Sequence, residues 1–189
     1  MDYNSDKIEP IFHFYLQNGF HYSLQKVADS VGLTKKTLFN RYGSRENMEL
    51  CLLDYWQSKS NERIAERMEF ANHAVERLMM FIFELQYCKK NEPHFFQKTK
   101  DYFLEKSKQS GPHIRQLEII FRAGEKEKLF RFDSDPKVYA YYFLFNVLFL
   151  LLNDTLVYTD YLSFLLEPII TESGKVVFRD IDIEQIFKS

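Results

Sequence analysis

Apolar residues recur every three to four positions along most of this chain, the spacing of helices that bury one face. Ile8, Ile11, Phe12, Tyr15 and Leu16 form the first such stripe. Asp6, with Glu9 three residues later, reads as a capping box, and Pro10 as part of the first turn, where a missing N–H costs least. Gly19 then supplies a left-handed C-cap. Val27 and Val31 are the expected buried residues of a short second helix capped by Ser23. Gly32 allows the positive φ of a tight turn. Thr34 is the N-cap of a third helix whose inner face is Leu38 and Tyr42. Ala28 is small enough for the second and third helices to touch there. Two short helices joined by a Gly-containing turn make a helix-turn-helix.

Beyond this point the pattern lengthens. Arg45 to about Phe70 reads as one long helix, and Ala71 to Lys90 as another, with apolar Val75, Leu78, Met79, Ile82, Phe83 and Leu85. Pro93 opens a helix carrying Phe95, Phe96, Tyr102, Phe103 and Leu104. Gly111-Pro112 breaks the chain before the stripe Ile114, Leu117, Ile120 and Phe121. Asp135-Pro136 supplies the cap and first residue of a very apolar helix. Tyr161 to Ile170 is the last apolar helix, ending near Glu167-Pro168. In the tail, Val176-Val177-Phe178 suggests a short extended piece and Ile183 to Phe187 a final helical turn. The fold class is all-α: an N-terminal three-helix head carrying the helix-turn-helix over 1–50, then a larger helical body over 51–189. The boundary falls within the long helix that begins near Arg45.

Val138 to Leu152 is apolar on nearly every side, with Asn146 its one plainly polar member. It is shorter than the roughly 20 residues a bilayer span requires, so no membrane contact is expected. A helix of this kind must be covered all round. Pairing it and Tyr161–Leu166 with copies from a second chain gives a four-helix homodimer interface resembling a core cut in half. Full burial within one monomer is the alternative.

Composition narrows the class. With 189 residues, 46% of them hydrophobic, the chain can build a real core, and disorder is excluded. Six Gly and five Pro are few for a sandwich or barrel. Two cysteines make no disulfide framework and fit a reducing cytoplasm, and the polar, acidic start has no secretion signal. The net charge is −2, yet Thr34–Arg45 carries Lys35, Lys36, Arg41 and Arg45 and no acid. The other 21 basic residues face 27 acidic ones. The second helix of a helix-turn-helix presents its first residues to base edges in the major groove. Here those residues are Lys35, Lys36 and Thr37. Asn40 can offer its amide to adenine. Arg41, Tyr42 and Arg45 suit phosphate contacts, which dominate affinity without reading sequence. With the two cap hydroxyls, the candidate DNA-contacting set is Ser23, Thr34, Lys35, Lys36, Thr37, Asn40, Arg41, Tyr42 and Arg45.

Across about Ile8 to Leu53 the sequence resembles the TetR family of transcriptional regulators. The resemblance rests on Gly19-Phe20, Val27-Ala28, Val31-Gly32-Leu33-Thr34, Thr37-Leu38-Phe39 and Arg41-Tyr42-Gly43-Ser44-Arg45-Glu46. Departures are visible. Phe39 stands where the family usually has Tyr, Lys36 where Gly is common, and Arg45 where Lys is usual. The stretch from Gly19 to Val27 is about one residue short, and Lys26 replaces an acidic cap partner. The resemblance implies an all-α homodimer whose heads bind adjacent half-sites of a pseudo-palindromic double-stranded DNA operator. It also implies a body that binds a small-molecule effector, and repression of a nearby gene.

An apolar or aromatic effector fits the chain's 19 Phe and 12 Tyr. Phe83, Tyr87, Phe96, Tyr102, Phe103, Phe121, Tyr142, Phe145 and Asn146 are the candidate pocket residues. An aromatic core is the plainer explanation for the same residues. No catalytic motif is present, and His13, His21, His73, His94 and His113 lack metal-ligand spacing with each other or with Cys51 and Cys88. Glu125 and Glu127 read as a solvated helix end. No enzyme activity, cofactor or metal is therefore expected. The rival to a DNA-binding regulator is a helical protein–protein adaptor or membrane-proximal module whose basic helix is incidental.

Overall fold

A computed structural model describes residues 5–105, 112–152 and 158–181; within these helices the side chains of residues 5–7, 100–105, 112, 152 and 158–160 are left undescribed. Ten helices are seen among the described residues: α1 (Ser5–Asn18), α2 (Leu24–Ser30), α3 (Lys35–Tyr42), α4 (Arg45–Met68), α5 (Ala74–Asn91), α6 (Pro93–Glu105), α7 (Pro112–Lys126), α8 (Pro136–Leu152), α9 (Tyr158–Leu166) and α10 (Glu172–Asp180). The only β pairing among them is a single antiparallel bridge between Phe130 and Ile170. The all-α expectation holds.

The head packs Ile8, Ile11, Phe12 and Tyr15 of α1 against Val27 and Ala28 of α2, Leu38 of α3 and Met48 and Leu52 of α4. Val31, Leu33 and Tyr42 are half-buried at its edge. Phe20 lies against Tyr15 and, edge-on, against Phe95 of α6, with ring centroids 4.7 and 5.1 Å apart. The core continues into the body through Trp56, which stacks on Phe95. It ends in an aromatic cluster where Phe121 of α7 meets Phe130, Phe132 and Phe143. Gly124 is required there for space. A Cβ at this position would lie 2.1 Å from the Phe130 ring.

Several boundaries differ from the sequence reading. Helix α1 already runs at Ser5, so Asp6 lies inside it, not at its cap. Pro10 is therefore beyond the first turn, where it removes one helical hydrogen bond. Helix α5 begins at Ala74, because His73 caps it: the Glu76 N–H donates to His73 Nδ1. The piece Val176-Val177-Phe178, read as extended, is helical within α10. Thr171 caps that helix by accepting from the Gly174 N–H, and Gly174 packs where a Cβ would lie 2.3 Å from the Leu129 carbonyl oxygen. That docking outweighs the strand preference of two adjacent valines. The expected turn over Ile183–Phe187 lies outside the described residues.

Helix α8 is apolar all round but only half covered. Ala140, Phe143, Leu144, Val147, Leu148 and Leu151 face inward. Val138, Tyr142 and Phe145 face outward, and so do Tyr161 and Phe164 of α9. Full burial within the monomer is thereby excluded for this helix. No helix among the described residues is long and apolar enough to cross a membrane.

Candidate nucleic-acid interface

The helix-turn-helix is built by local chemistry. Ser23 Oγ accepts from the Lys26 N–H at 3.3 Å and starts α2. The turn closes with the Leu33 N–H donating to the Ala28 carbonyl at 2.8 Å. Gly32 takes φ +68°, a conformation that side chains with a Cβ rarely adopt. Thr34 Oγ1 accepts from the Thr37 N–H at 3.0 Å and lies 2.8 Å from the Thr37 hydroxyl, fixing the start of α3. At its other end Gly43, at φ +75°, donates its N–H to the Phe39 carbonyl.

Only Leu38 of α3 is fully buried. Lys35, Lys36, Phe39, Asn40 and Arg41 are exposed, and Thr37 and Tyr42 are half-buried. Lys36 and Asn40 stand one turn apart, and Arg41 lies 6.0 Å from the Tyr42 ring centre. Burial raises the Tyr42 pKa, while a hydrogen bond from Arg41 pulls against it. The structure thus brings Lys35, Lys36, Thr37, Asn40, Arg41 and Tyr42 onto one short helix, beside the exposed caps Ser23 and Thr34.

Arg45 is the first residue of α4. Its Nε pairs with Glu49 at 2.7 Å, and its guanidinium also donates to the Phe20 carbonyl. Lys98 of α6 completes the chain by pairing with Glu49 at 3.1 Å. Arg45 therefore ties α4 to the α1–α2 connection, while 34% of its side chain stays exposed. Its inward partner is the backbone of a residue 25 positions back, which helical spacing does not reveal.

Seven of the nine effector-pocket candidates have described side chains. Phe121 is packed in the aromatic core, and Phe96 is buried near the head. Phe83 lies under Arg67, 4.6 Å from ring centre to guanidinium, and Tyr87 beside Arg63 at 5.5 Å. Tyr142 and Phe145 point outward on α8, and the half-buried Asn146 donates to the Tyr142 carbonyl. The side chains of Tyr102 and Phe103 lie outside the described residues.

A feature missed in the sequence is a polar cluster inside the body. Arg63 Nε pairs with Glu84 at 2.7 Å, and its NH2 with Glu92 at 3.1 Å. The Trp56 indole N–H donates to Glu92 at 2.5 Å, and Cys88 donates to Glu84 at 3.3 Å. Ser60 lies 3.3 Å from His113 Nε2. Burial works against the Arg63 charge, but Glu84 and Glu92 more than offset it, so its pKa is raised. Burial pushes the Glu84 carboxyl up, with Arg63 pulling the other way, and it also raises the Cys88 thiol. Fully buried His113 is held neutral, its pKa lowered to about 4 by burial and by Arg63. The signal was present: Glu84 falls three residues after Phe81 and four before Cys88, on the inward stripe of α5.

Taken together, a helix-turn-helix head with an exposed cationic helix is joined through α4 to a helical body. Comparison with solved structures places it more narrowly. Over 96% of its length the chain superposes on 88% of the fatty acid degradation regulator FadR from Bacillus halodurans, with a TM-score of 0.63 and 12% identity. It covers all of a TetR-family regulator from Rhodococcus sp. over 97% of its own length, at a TM-score of 0.59 and 13% identity. AibR in complex with isovaleryl coenzyme A and operator DNA matches at a TM-score of 0.51 and 20% identity, over 76% of this chain and 83% of that one. No protein-family model and no curated protein matches the chain. The chain has the fold of TetR-family transcriptional regulators.

Proposed function

We propose that the protein is a dimeric, effector-responsive DNA-binding regulator that represses transcription. The observation that carries this reading is the solvent-facing set Lys35, Lys36, Asn40 and Arg41 on the second helix of a helix-turn-helix, with no acid in α3. Such a helix supplies base-edge contacts from its start and phosphate contacts from its flanks. The outward apolar face of α8 and α9 supports a homodimer, which sets two heads on adjacent half-sites of a pseudo-palindrome. Neighbouring folds carry operator DNA and an acyl-coenzyme A, or regulate fatty acid degradation. The acyl group of that ligand is apolar, which supports an effector with an apolar part that relieves repression. A regulator of this kind acts in the cytoplasm beside the chromosome.

The test is duplex binding by the purified full-length protein to the DNA upstream of its own gene, measured against salt. Binding should weaken steeply as salt rises, because cations displace condensed counterions. The triple substitution Lys35→Ala, Lys36→Ala and Arg41→Ala should weaken it by on the order of 100-fold and flatten the salt slope by at least about 1, the share of the phosphate contact assigned to Arg41. Salt-independent binding, or a triple variant that binds like the parent, refutes the reading.

A further inference from the structure

Phe39 is a large apolar side chain displayed on an otherwise polar helical face, 58% exposed beside Lys35, Lys36, Asn40 and Arg41. Lys36 and Asn40 lie one turn apart on the side of α3 opposite buried Leu38, and Phe39 lies on the flank of that side, next to Asn40 in the chain and one turn from Lys35. A phenyl ring carries no hydroxyl and cannot donate to a phosphate oxygen. Its attraction to DNA must come from removing apolar surface from water. In the major groove the apolar group on a base edge is the thymine 5-methyl, and aromatic side chains are among its known partners. Asn40, the next residue, bears the amide that pairs with adenine.

We propose that Phe39 is a specificity-determining residue that reads thymine through its 5-methyl group. This rests on the DNA-binding reading above and names part of the sequence that helix α3 selects: a thymine in each half-site, near the pair contacted by Asn40. Lys35 and Lys36 hold the helix close enough for the contact but do not themselves distinguish thymine from a methyl-free base.

A duplex selected by the wild-type full-length protein from a random library supplies the probe. Binding is then titrated with the parent duplex and with versions in which each thymine is replaced in turn by deoxyuridine, which lacks only the methyl. One thymine per half-site should prove sensitive, its loss weakening wild-type binding about fourfold, the worth of one buried methyl group. The Phe39→Ala variant should be indifferent to that same replacement, while Phe39→Leu should retain part of the sensitivity. Phe39 is exposed, so neither variant should disturb folding, and the deoxyuridine series uses unaltered protein throughout. A selected duplex bound equally well with every thymine replaced overturns the proposal alone. So does methyl sensitivity that survives in Phe39→Ala. Failure to enrich any sequence overturns it together with the DNA-binding reading.

Discussion

The head and the body handle charge in opposite ways. In the head, α3 sets Lys35, Lys36 and Arg41 outward with no acid on the same helix. In the body, Arg63 and Arg67 turn toward Glu84 and Glu92 and are flanked by the Tyr87 and Phe83 rings. Arg45 sits at the junction and follows the rule of the body, joined to Glu49 and the Phe20 carbonyl. Of the four cations in the run Thr34–Arg45, Arg45 alone is held in the ion pair with Glu49 and by a backbone carbonyl. A charge count along the sequence overstates what a partner meets wherever one member has an inward acceptor.

The sharpest way to break this comparison is to remove a cation from each region. Arg63→Met removes the nearer cation from Glu84, whose side chain is fully buried, and leaves it the more distant Arg67 at 3.7 Å and the weak donors Cys88 and Ser60. Stripping one partner from a buried pair costs about 3–5 kcal/mol, because an uncompensated charge remains. Urea unfolding should report a loss of that size, and Arg63→Met combined with Glu84→Leu should recover much of it. The matching change in the head, Lys36→Ala, should leave the unfolding midpoint almost unmoved, as is usual for exposed sites. A Lys36→Ala loss comparable with that of Arg63→Met would erase the distinction between the two regions.

What could be seen in the sequence divides along the same line. The head was legible because its determinants are local. Ser23 and Thr34 cap their own helices, Gly32 closes its own turn, and Ile8, Ile11, Phe12 and Tyr15 repeat at helical spacing. The body was legible in its helices but not in its interior. Glu84 meets Arg63 from another helix, and Arg45 meets a carbonyl far back in the chain. Helix α10 was hidden because Val176-Val177-Phe178 favours a strand by itself, while the Gly174 contact with Leu129 that docks the helix is tertiary. Aromatic content indicated a large core but could not sort Phe121, which is buried, from Phe145, which is exposed.

A smaller effect separates the regions by pH. His113 in the body accepts a proton only near pH 4 when folded, against about 6.5 in an unfolded chain. Between those values the unfolded state binds more protons, so stability falls as pH drops from 6.5 toward 4. The expected loss from this residue between pH 7 and pH 5 is about 2 kcal/mol. Glu84 acts with the opposite sign, since burial raises its pKa and the folded state takes up its proton more readily. Comparing wild type with His113→Asn isolates the histidine. Unfolding midpoints measured at pH 7 and pH 5 should lie closer together in the variant, and an unchanged gap would show that the ring is not held neutral.

The smallest effect tests whether the head owes its reading helix to its own cap. Thr34 Oγ1 accepts from the Thr37 N–H and meets the Thr37 hydroxyl, and no acid stands in the first turn of α3 to stabilise that end instead. Thr34→Ala should cost about 1 kcal/mol of stability, the usual worth of such a cap, while Thr34→Ser should cost little. Because Lys35, Lys36 and Thr37 are the first residues of α3, fraying there displaces the side chains assigned to base edges. Duplex affinity should therefore fall in Thr34→Ala by more than in Thr34→Ser, with the salt slope unchanged because no cation is lost. A Thr34→Ala protein that is as stable as the parent, with equal affinity, would show that packing of Leu38 against the head alone sets the position of α3.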